Sequence, residues 1–471
     1  MLKTIDAILN KYTMYKIVAW GLRALLLVAG VLMFTGAVSL PYKGLIYSIL
    51  VLITAAYLSN KLFAWMFRAH ANTDSWAITA LILACILPPS TSVSRLGLLA
   101  LAAVIAMASK YVLVWRGSHF LNPAATAAFV LSVTGLLPAT WWVAMPVLLP
   151  FTGLLALVVL RKQRKFALAF AFGIPAVLML LYIGVGIHGF GFGDTLKGAL
   201  GSWPIVFMGS IMLTEPTTLP PTRYYQLLFG ALIGVIFSSQ LHIWRIYSTP
   251  ETALLVGNIF TLLVAPTAGA MLRLKFISQL APNQYDLAFE KPPHVRFDAG
   301  QYLEWTLPHK HADARGVRRT FSIASAPTES ELHIGIKTYE RGSTFKKALL
   351  ALKPGDRVRA AHVAGSFTLP ADASRPLVFI AGGIGITPFR AMAQYLTDTN
   401  QLRDAALLYV ANSEADSLTA TCSMMLPRPG CRPATSSAVW TTRHWPRRRS
   451  SRKAWCMSRG RTPWSRTPSR C

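Results

Sequence analysis

Two short segments in the last third of the chain carry residue types that suit a phosphate-bearing cofactor with a flat ring. The first, Arg319 to Ser325, places an arginine, an aromatic residue and a serine within four positions. An arginine fork suits a diphosphate, and an aromatic face beside a small hydroxyl suits a planar ring. The second, Gly382 to Pro388, contains three glycines and ends in Thr-Pro. Glycines let a backbone approach a dinucleotide, and proline is favourable at a helix start.

Short alternating stretches surround the first segment and must position it. From Leu274 onward they are separated by proline, glycine and charged residues, a pattern that predicts an antiparallel β-barrel. Around the second segment, Pro376 to Ala381 is typical of a buried parallel strand, a helix is expected from Phe389, and Leu407 to Ala411 is the next strand. The predicted strands before the first segment are Phe276 to Leu280, Tyr285 to Phe289, His294 to Phe297 and Tyr302 to Leu307.

Together these segments resemble the ferredoxin-NADP reductase family, in which a barrel binds FAD and an α/β domain binds the nicotinamide nucleotide. The resemblance implies that Arg319 pairs with the FAD diphosphate and that Phe321 stacks on the flavin, with Thr320 between them in the same motif. It also implies that Ser322 lies near the ring nitrogen that accepts hydride. Ser322 is therefore the candidate catalytic residue.

A second phosphate contact is expected from Gly342, Ser343 and Thr344, about twenty residues after the arginine. Alone, such a triplet is typical of a helix start, here over residues 344–350. After the Arg-x-Phe-Ser motif we interpret it as a phosphate loop, because backbone N–H groups and hydroxyls there can hold an anion. Gly365 to Phe367 matches the closing strand of the family's barrel. The resemblance assigns the nicotinamide nucleotide to Gly382, Gly383, Gly385, Thr387 and Pro388.

The first 271 residues are almost continuously apolar. The chain of 471 residues is 53% hydrophobic with a mean hydropathy of +0.43, which is too apolar for one soluble domain. Lysines at 3, 11 and 16 precede the first apolar run and a basic stretch, 161–165, follows the sixth, so the positive-inside rule places both in the cytoplasm. About ten runs could cross a bilayer, near 17–40, 44–66, 74–90, 95–115, 122–138, 139–160, 166–188, 204–219, 225–243 and 251–271.

Four strings in this apolar half resemble the RnfD and NqrB family, which comprises membrane proteins of Rnf electron-transport complexes and of the sodium-pumping Nqr quinone reductase. Their order and spacing cover most of residues 75–270. The strings are Thr79 to Leu83 leading to Leu87 to Pro89, then Phe120 to Ala124, Leu213 to Thr218 and Leu228 to Val235.

That family carries FMN covalently on a threonine, on the face opposite the cytoplasm. In that family the threonine follows Ser-Gly-Ala, and the matching loop here, Gly193 to Lys197, lacks these three residues. Thr195 is the candidate for covalent attachment of FMN, and the alternative is a plain loop threonine or a helix N-cap. Lys110 and Glu215 are the candidates for functional ionisable residues within the membrane. The alternatives are that Lys110 snorkels from the end of its span and that Glu215 lies where its span breaks. The histidines near span ends lack the pairing that a membrane b-type haem needs.

The last part of the chain has a different composition. Twelve of the Lys and Arg residues and no Asp or Glu lie in 419–471, so this stretch supplies +12 of the formal charge of +28. Shifted by two bases, the codons for Leu418 to Met425 can encode Tyr-Arg-Asp-Val-Phe-Asp-Asp, and those for Trp455 to Arg466 can encode Val-Tyr-Val-Ser-Gly-Pro-His-Ala-Met-Val-Glu. The second string resembles the last nicotinamide-binding loop of the ferredoxin-NADP reductase family. We interpret the tail as frameshifted and disordered, with a genuine basic tail as the alternative.

The sequence thus predicts a polytopic α-helical membrane domain (1–271), an antiparallel β-barrel FAD-binding domain (272–371) and an incomplete α/β nucleotide-binding domain (372–418). The expected function is electron transfer from NAD(P)H through FAD to a membrane or protein acceptor. The alternatives are an ion-coupled transport or binding subunit whose soluble domain only docks, and an inactive product of a damaged gene.

The expected location is the inner membrane, with both termini and the reductase domain in the cytoplasm. Expected partners are membrane lipid, an unidentified acceptor (a quinone, a flavin or a redox protein) and other electron-transport proteins of the same complex. Nucleic acid and metal ions are not expected, since the positive charge is concentrated in the tail and no cysteine cluster or zinc spacing precedes it.

Overall fold

The fold was obtained as a computed structural model, whose elements agree in order with the two halves seen in the sequence. The structure describes residues 6, 9, 12–67, 75–115, 118–238, 242–243, 246–264, 270–310, 312–313, 317–339, 342–401 and 403–410. The interpretation of 419–471 as a frameshifted tail therefore lies outside the described residues.

A helical block forms the first half of the described chain. Five of its helices are long and apolar enough to cross a membrane by length and composition. Two short hairpins, Val114–Trp115 with Ser118–His119 (β1, β2) and His242–Ile243 with Ile246–Tyr247 (β3, β4), lie at helix ends. The helices are α1 Met14–Phe34, α2 Tyr42–Met66, α3 Ser75–Ile86, α4 Val93–Val112, α5 Pro123–Val133, α6 Leu149–Gln163, α7 Phe166–Leu181 with a π turn to Ile187, α8 Phe192–Gly201, α9 Ile205–Phe207 with a π turn to Met212, α10 Arg223–Ser238 and α11 Pro250–Val264.

Three of the predicted spans contain helices much shorter than the apolar run. Helix α3 has 12 residues and α5 has 11, and α9 with its π turn covers only Ile205–Met212, so each is about 18 Å long at most, against a hydrocarbon core of about 30 Å. Helix α3 ends before Pro88 and Pro89, which cannot continue its hydrogen bonding. Helix α5 begins at Pro123, where the Asn122 side chain caps it by accepting from Ala125 N at 3.0 Å, and it ends early, at Val133, two residues before Gly135 at φ +71°.

Six strands of the second half form one antiparallel sheet with the order β8-β7-β10-β5-β6-β9. Trp305 and Phe289 lie in its core, with ring centroids 4.7 Å apart. No ladder pairs the two edge strands of this fully described sheet. The antiparallel prediction is confirmed, and barrel closure remains a prediction. The strands are β5 Ala270–Ala281, β6 Gln284–Glu290, β7 Tyr302–Thr306, β8 Arg318–Ser322, β9 Glu331–Lys337 and β10 Arg357–Ala364.

The prediction of a strand at His294 to Phe297 is wrong. The stretch is irregular, although Val295 and Phe297 are buried as the alternation suggested. Pro292 and Pro293 precede it and lack the N–H groups that a ladder needs. The apolar alternation here therefore reflects packing of a loop on the core, not strand pairing.

A small α/β layer follows the sheet. Strand β11 (Leu377–Gly382) pairs in parallel with β12 (Ala405–Val410), and α13 (Thr387–Asp398) connects them after a 3₁₀ turn, Gly383–Ile386. Helix α12 (Thr344–Leu350) lies between β9 and β10 in the chain. These elements are the first part of the α/β domain that the sequence predicted.

The sheet contacts the helical block at one end of that block. Arg318 Nη1 donates to Tyr15 Oη at 3.3 Å and also pairs with Glu304 at 3.3 Å. On the other side of the contact, Gly365 N donates to Pro221 O at 3.2 Å and Arg223 N donates to Ser366 Oγ at 3.0 Å. Strand β8, which carries the Arg-x-Phe-Ser motif, therefore begins in contact with the start of α1.

We expect Gly300→Ala to destabilise the sheet domain strongly. Gly300 has φ +101°, and a Cβ there would lie 2.0 Å from Phe367 O and 2.4 Å from Met392 Cε. Backbone strain and overlap together should cost about 3 kcal/mol or more. The matched control is Gly355→Ala, at φ +98° with only Arg273 Nη2 near its Cβ, at 3.9 Å. Thermal unfolding should show the larger loss for Gly300→Ala, and equal losses would show that the overlap is unimportant.

Candidate functional site

The diphosphate end of the predicted site is a cluster of one cation, one hydroxyl and one carboxylate. Arg319 Nη2 donates to Ser343 Oγ at 3.1 Å and to Asp313 Oδ1 at 2.7 Å. Ser343 Oγ donates to Asp313 Oδ2 at 3.2 Å. The structure therefore brings the two predicted phosphate contacts together, although they lie 24 residues apart in the chain.

Strand pairing and packing fix the position of this arginine. Arg319 lies opposite Trp305 in the β7–β8 ladder, so its side chain leaves the sheet on the face that carries the core. Its guanidinium lies over the ring of the fully buried Phe345, 5.4 Å from the centroid. The side chain of Arg319 is 13% exposed. A guanidinium held on an aromatic face and open at its edge can bind an anion in a fixed orientation.

The triplet at 342–344 leads into α12, which begins at Thr344 as predicted. Ser343 is the N-cap position but its side chain makes no capping hydrogen bond, since its hydroxyl is directed to Asp313 and Arg319. Thr344 Oγ1 accepts from Asp313 N at 3.0 Å and lies 3.0 Å from His309 Nε2. The loop before β8 is thus tied to the start of α12 through one threonine.

The ring end of the predicted site lies along the same strand. Phe321 is half-buried opposite Leu303, and its ring centroid lies 6.1 Å from that of Phe345. Ser322 is half-buried opposite Tyr302 at the end of β8. Thr320 is exposed on the opposite face from Arg319 and Phe321. Only Phe321 therefore shares the core-side face with the arginine, and Thr320 lies on the outer face.

The glycine-rich segment turns from β11 into α13. Gly382 ends the strand, Gly383 has φ +50°, and Gly385 lies in the 3₁₀ turn. Thr387 begins α13 and its hydroxyl donates to Ile384 O at 3.2 Å, with Pro388 in the first turn. A Cβ on any of these three glycines would meet no atom of the described residues within 4 Å. A parallel strand followed by such a turn is the arrangement that binds dinucleotide phosphates.

The nucleotide loop packs directly against the sheet. A Cβ on Gly335 of β9 would lie 2.6 Å from Thr387 Cγ2, so the absence of a side chain permits this approach. Arg390 of α13 donates to Ala324 O at 3.1 Å and pairs with Glu329. The two predicted cofactor segments therefore lie on adjoining elements, as hydride transfer between a nicotinamide and a flavin requires.

His333 lies at this junction of β6, β9 and α13. Its Nδ1 lies 2.7 Å from Asp286 Oδ2, and its Nε2 lies 3.3 Å from Glu331 Oε2. Burial lowers the pKa of His333, but the hydrogen bond and charge of Asp286 outweigh burial and hold the pKa above its ordinary value. The imidazolium therefore stabilises the contact between the strands.

We expect the stability supplied by His333 to fall as pH rises. Because the folded pKa is raised, this contribution is complete below the ordinary value of 6.5 and disappears as pH passes through the raised value. His333→Gln should lower Tm by about 2–4 °C below pH 6.5, a loss of about 1 kcal/mol, and have less effect in alkali. The control is the exposed His294→Gln. A pH-independent difference between His333→Gln and the native protein would contradict the expectation.

Thr195 lies in the first turn of α8, at the end of α7 that is remote from the sheet. Thr195 is helical and the N-cap of α8 is Gly191, so both alternatives for Thr195, a plain loop threonine and a helix N-cap, are wrong. Its hydroxyl donates to Gly191 O at 3.0 Å, and its methyl group packs on Gly184. Covalent FMN on Thr195 stays a prediction.

A polar cluster lies inside the helical block beside Tyr15. Glu215 accepts from Asn122 Nδ2 at 2.7 Å and from Thr217 Oγ1 at 3.1 Å, and its Oε1 lies 3.4 Å from His119 Nε2. Lys110 Nζ donates to Ser75 O, Ser75 Oγ and Thr79 Oγ1 at 2.9–3.0 Å. The ammonium group of Lys110 is thus bound by the start of α3, and the snorkelling alternative stays a prediction.

Sequence reasoning missed Asp313, His309 and Arg390. Asp313 and His309 lie in the irregular loop before β8, where no spacing rule marks a residue. Arg390 lies on α13, three residues after that helix begins. A basic residue at that position is ordinary helix composition, and only the fold shows that it reaches back to the sheet.

Two curated relatives match part of the chain. A ferredoxin-NADP reductase B of Sorangium cellulosum is 32% identical over 146 residues, 31% of this chain and 59% of that protein. Reductase component 1 of terephthalate 1,2-dioxygenase from a Comamonas species is 34% identical over 122 residues, 25% of this chain and 34% of that protein. The chain thus spans less than two thirds of either relative. No protein-family model matches it.

Among solved structures, a ferredoxin NADP+ reductase from Neisseria gonorrhoeae with bound FAD and NADP matches 33% of this chain and 62% of that one. The sequence identity is 18% and the TM-score is 0.29.

Proposed function

We propose that the described residues from 270 to 410 bind FAD and part of a nicotinamide nucleotide, and that the complete protein passes electrons from NAD(P)H through FAD to an acceptor. The observation that carries this proposal is the convergence of Arg319 and Ser343, with the Arg319 guanidinium and the Phe321 ring both packed against Phe345. The reductases among the relatives support the same activity.

The residues present fit FAD. Arg319 and Ser343 would hold the diphosphate, and Phe321 would lie against the flavin ring. Ser322, which lies opposite Tyr302 at the end of β8, is the residue that the family resemblance places near the ring nitrogen. FAD supplies the conversion between two-electron hydride transfer and single-electron transfer. The protein's own part is to orient the ring, to supply a cation for the diphosphate and to bring the nucleotide loop at Gly383 against β9.

We further propose that the helical block, which resembles the RnfD and NqrB family, anchors the reductase in the inner membrane with the sheet in the cytoplasm. The five long apolar helices and the contact of the sheet with the start of α1 support this orientation. Alkaline phosphatase, which folds only outside the cytoplasm, should be active when fused between α7 and α8, and inactive when fused before residue 12. The reverse result would refute the orientation.

NAD(P)H oxidation by membranes that contain the protein tests the proposed activity. The complete reductase should oxidise NADH or NADPH with flavin reduction. Bound FAD without any oxidation, in a chain whose C-terminal sequence is intact, would contradict the proposal. The acceptor would be a quinone, a second flavin or a redox protein.

A second candidate function is ion-coupled transport with a docking-only soluble domain, and the buried cluster around Glu215 favours it. A carboxylate, a histidine and a lysine within an apolar block are costly unless they serve a function. A protein that binds no FAD and oxidises no NAD(P)H would favour this candidate over the oxidoreductase.

A further inference from the structure

The carboxylate of Asp313 occupies the two donors that the FAD diphosphate is expected to use. Its Oδ1 lies 2.7 Å from Arg319 Nη2, and its Oδ2 accepts from Ser343 Oγ at 3.2 Å. Each carboxylate oxygen therefore takes one of these donors, much as two oxygens of a phosphate would. Asp313 is thus an anion of the chain itself at the proposed anion site.

The contact is strong enough to compete with a ligand. The side chains of Arg319 and Asp313 are 13% and 24% exposed, so their charges are screened less than those of a surface pair. A charge-assisted hydrogen bond of 2.7 Å is about twice as strong as a neutral one. A diphosphate that binds Arg319 must displace this bond or accept a carboxylate beside its own negative charges.

The loop around Asp313 allows the side chain to move without losing its anchor. The backbone N–H of Asp313 donates to Thr344 Oγ1 at 3.0 Å, and that hydroxyl also lies 3.0 Å from His309 Nε2. These contacts do not involve the carboxylate. Rotation about the Asp313 side chain would therefore release its bonds to Arg319 and Ser343, while the backbone N–H of Asp313 stays bound to Thr344.

We propose that Asp313 sets the affinity for FAD by competing with the FAD diphosphate for Arg319 and Ser343. This inference rests on the proposed function, since it takes FAD as the ligand. The carboxylate weakens FAD binding and keeps the cation paired between binding events. FAD binding displaces the carboxylate from the arginine.

Titration of the full chain with FAD tests this inference. The protein is purified in detergent, stripped of flavin and titrated while FAD fluorescence is followed. Asp313→Asn removes the charge, keeps the shape and should tighten the Kd about tenfold. Asp313→Glu keeps the charge and should stay near the native Kd. The control Glu290→Gln removes an equal charge at an exposed site paired with Arg273 at 3.8 Å, and should also stay near the native Kd.

The outcomes separate this inference from the proposed function. An unchanged or weaker Kd for Asp313→Asn, with FAD bound by the native chain, overturns the role of Asp313 and leaves the FAD site intact. No FAD binding by the native chain or by any variant overturns the proposed function itself. If Asp313→Asn does not fold, the Kd of inorganic pyrophosphate for the flavin-free chain decides. This Kd should be lower in Asp313→Ala than in the native chain, and an equal Kd contradicts the proposal.

Discussion

Arg319→Ala is expected to yield a protein that purifies without FAD, with affinity reduced about a hundredfold. Arg319 is the cation that meets Ser343 at the proposed diphosphate position. Alanine removes the charge and also the packing on Phe345, whose ring centroid lies 5.4 Å from the guanidinium. The measurement is the Kd for FAD of the flavin-free full chain in detergent.

Two further variants make the arginine test specific. Arg319→Lys keeps the charge but loses the planar fork, so its affinity should lie between those of the native protein and the alanine variant. Arg357→Ala removes an exposed arginine from β10 of the same sheet and should leave the Kd unchanged. A native Kd for Arg319→Ala would contradict the assignment of the diphosphate to this residue.

Restoring the alternative frame after residue 416 should raise NAD(P)H oxidation about a hundredfold or more. Strand β12 ends at Val410, and the described α/β layer contains only two parallel strands, β11 and β12. The shifted codons can encode a string that resembles the last nicotinamide-binding loop of the ferredoxin-NADP reductase family. Since hydride transfer needs the nicotinamide held against the flavin, a chain without that loop should bind FAD and transfer hydride poorly.

The frame hypothesis has its own control and its own refutation. FAD content should be equal in the unaltered 471-residue chain and in the restored chain, because the Arg319 cluster precedes the shift. The restored chain should oxidise NAD(P)H faster than the unaltered chain. Gene sequence around codons 416–418 with no missing or extra base, or equal oxidation rates for the two chains, would contradict the hypothesis.

Short motifs were predictable from the sequence where binding a phosphate or a planar ring, or making a tight turn, requires particular residue types. The Arg-x-Phe-Ser string lies on β8 and the Gly-Ser-Thr triplet precedes α12, both as expected. Their meeting was inferred from the family resemblance, since no spacing rule joins two residues across 24 positions. The glycine-rich segment likewise turns from a parallel strand into a helix.

Tertiary contacts account for what the sequence did not predict. Val295 and Phe297 alternate like strand residues because both pack on the core, yet two preceding prolines keep the stretch out of the ladder. Asp313 lies in a loop without a pattern, so only the fold shows that its carboxylate meets Arg319. The bonds of Lys110 to the start of α3 join residues 31 and 35 positions apart.

The absorbance spectrum of the purified protein, before and after acid precipitation, decides whether the chain holds FAD. We expect flavin bands that move to the supernatant on precipitation, with the released cofactor identified as FAD. Flavin that stays in the pellet would indicate covalent FMN in addition. A spectrum with no releasable flavin, or one with haem bands in its place, would contradict the proposal that Arg319, Ser343 and Phe321 form an FAD site.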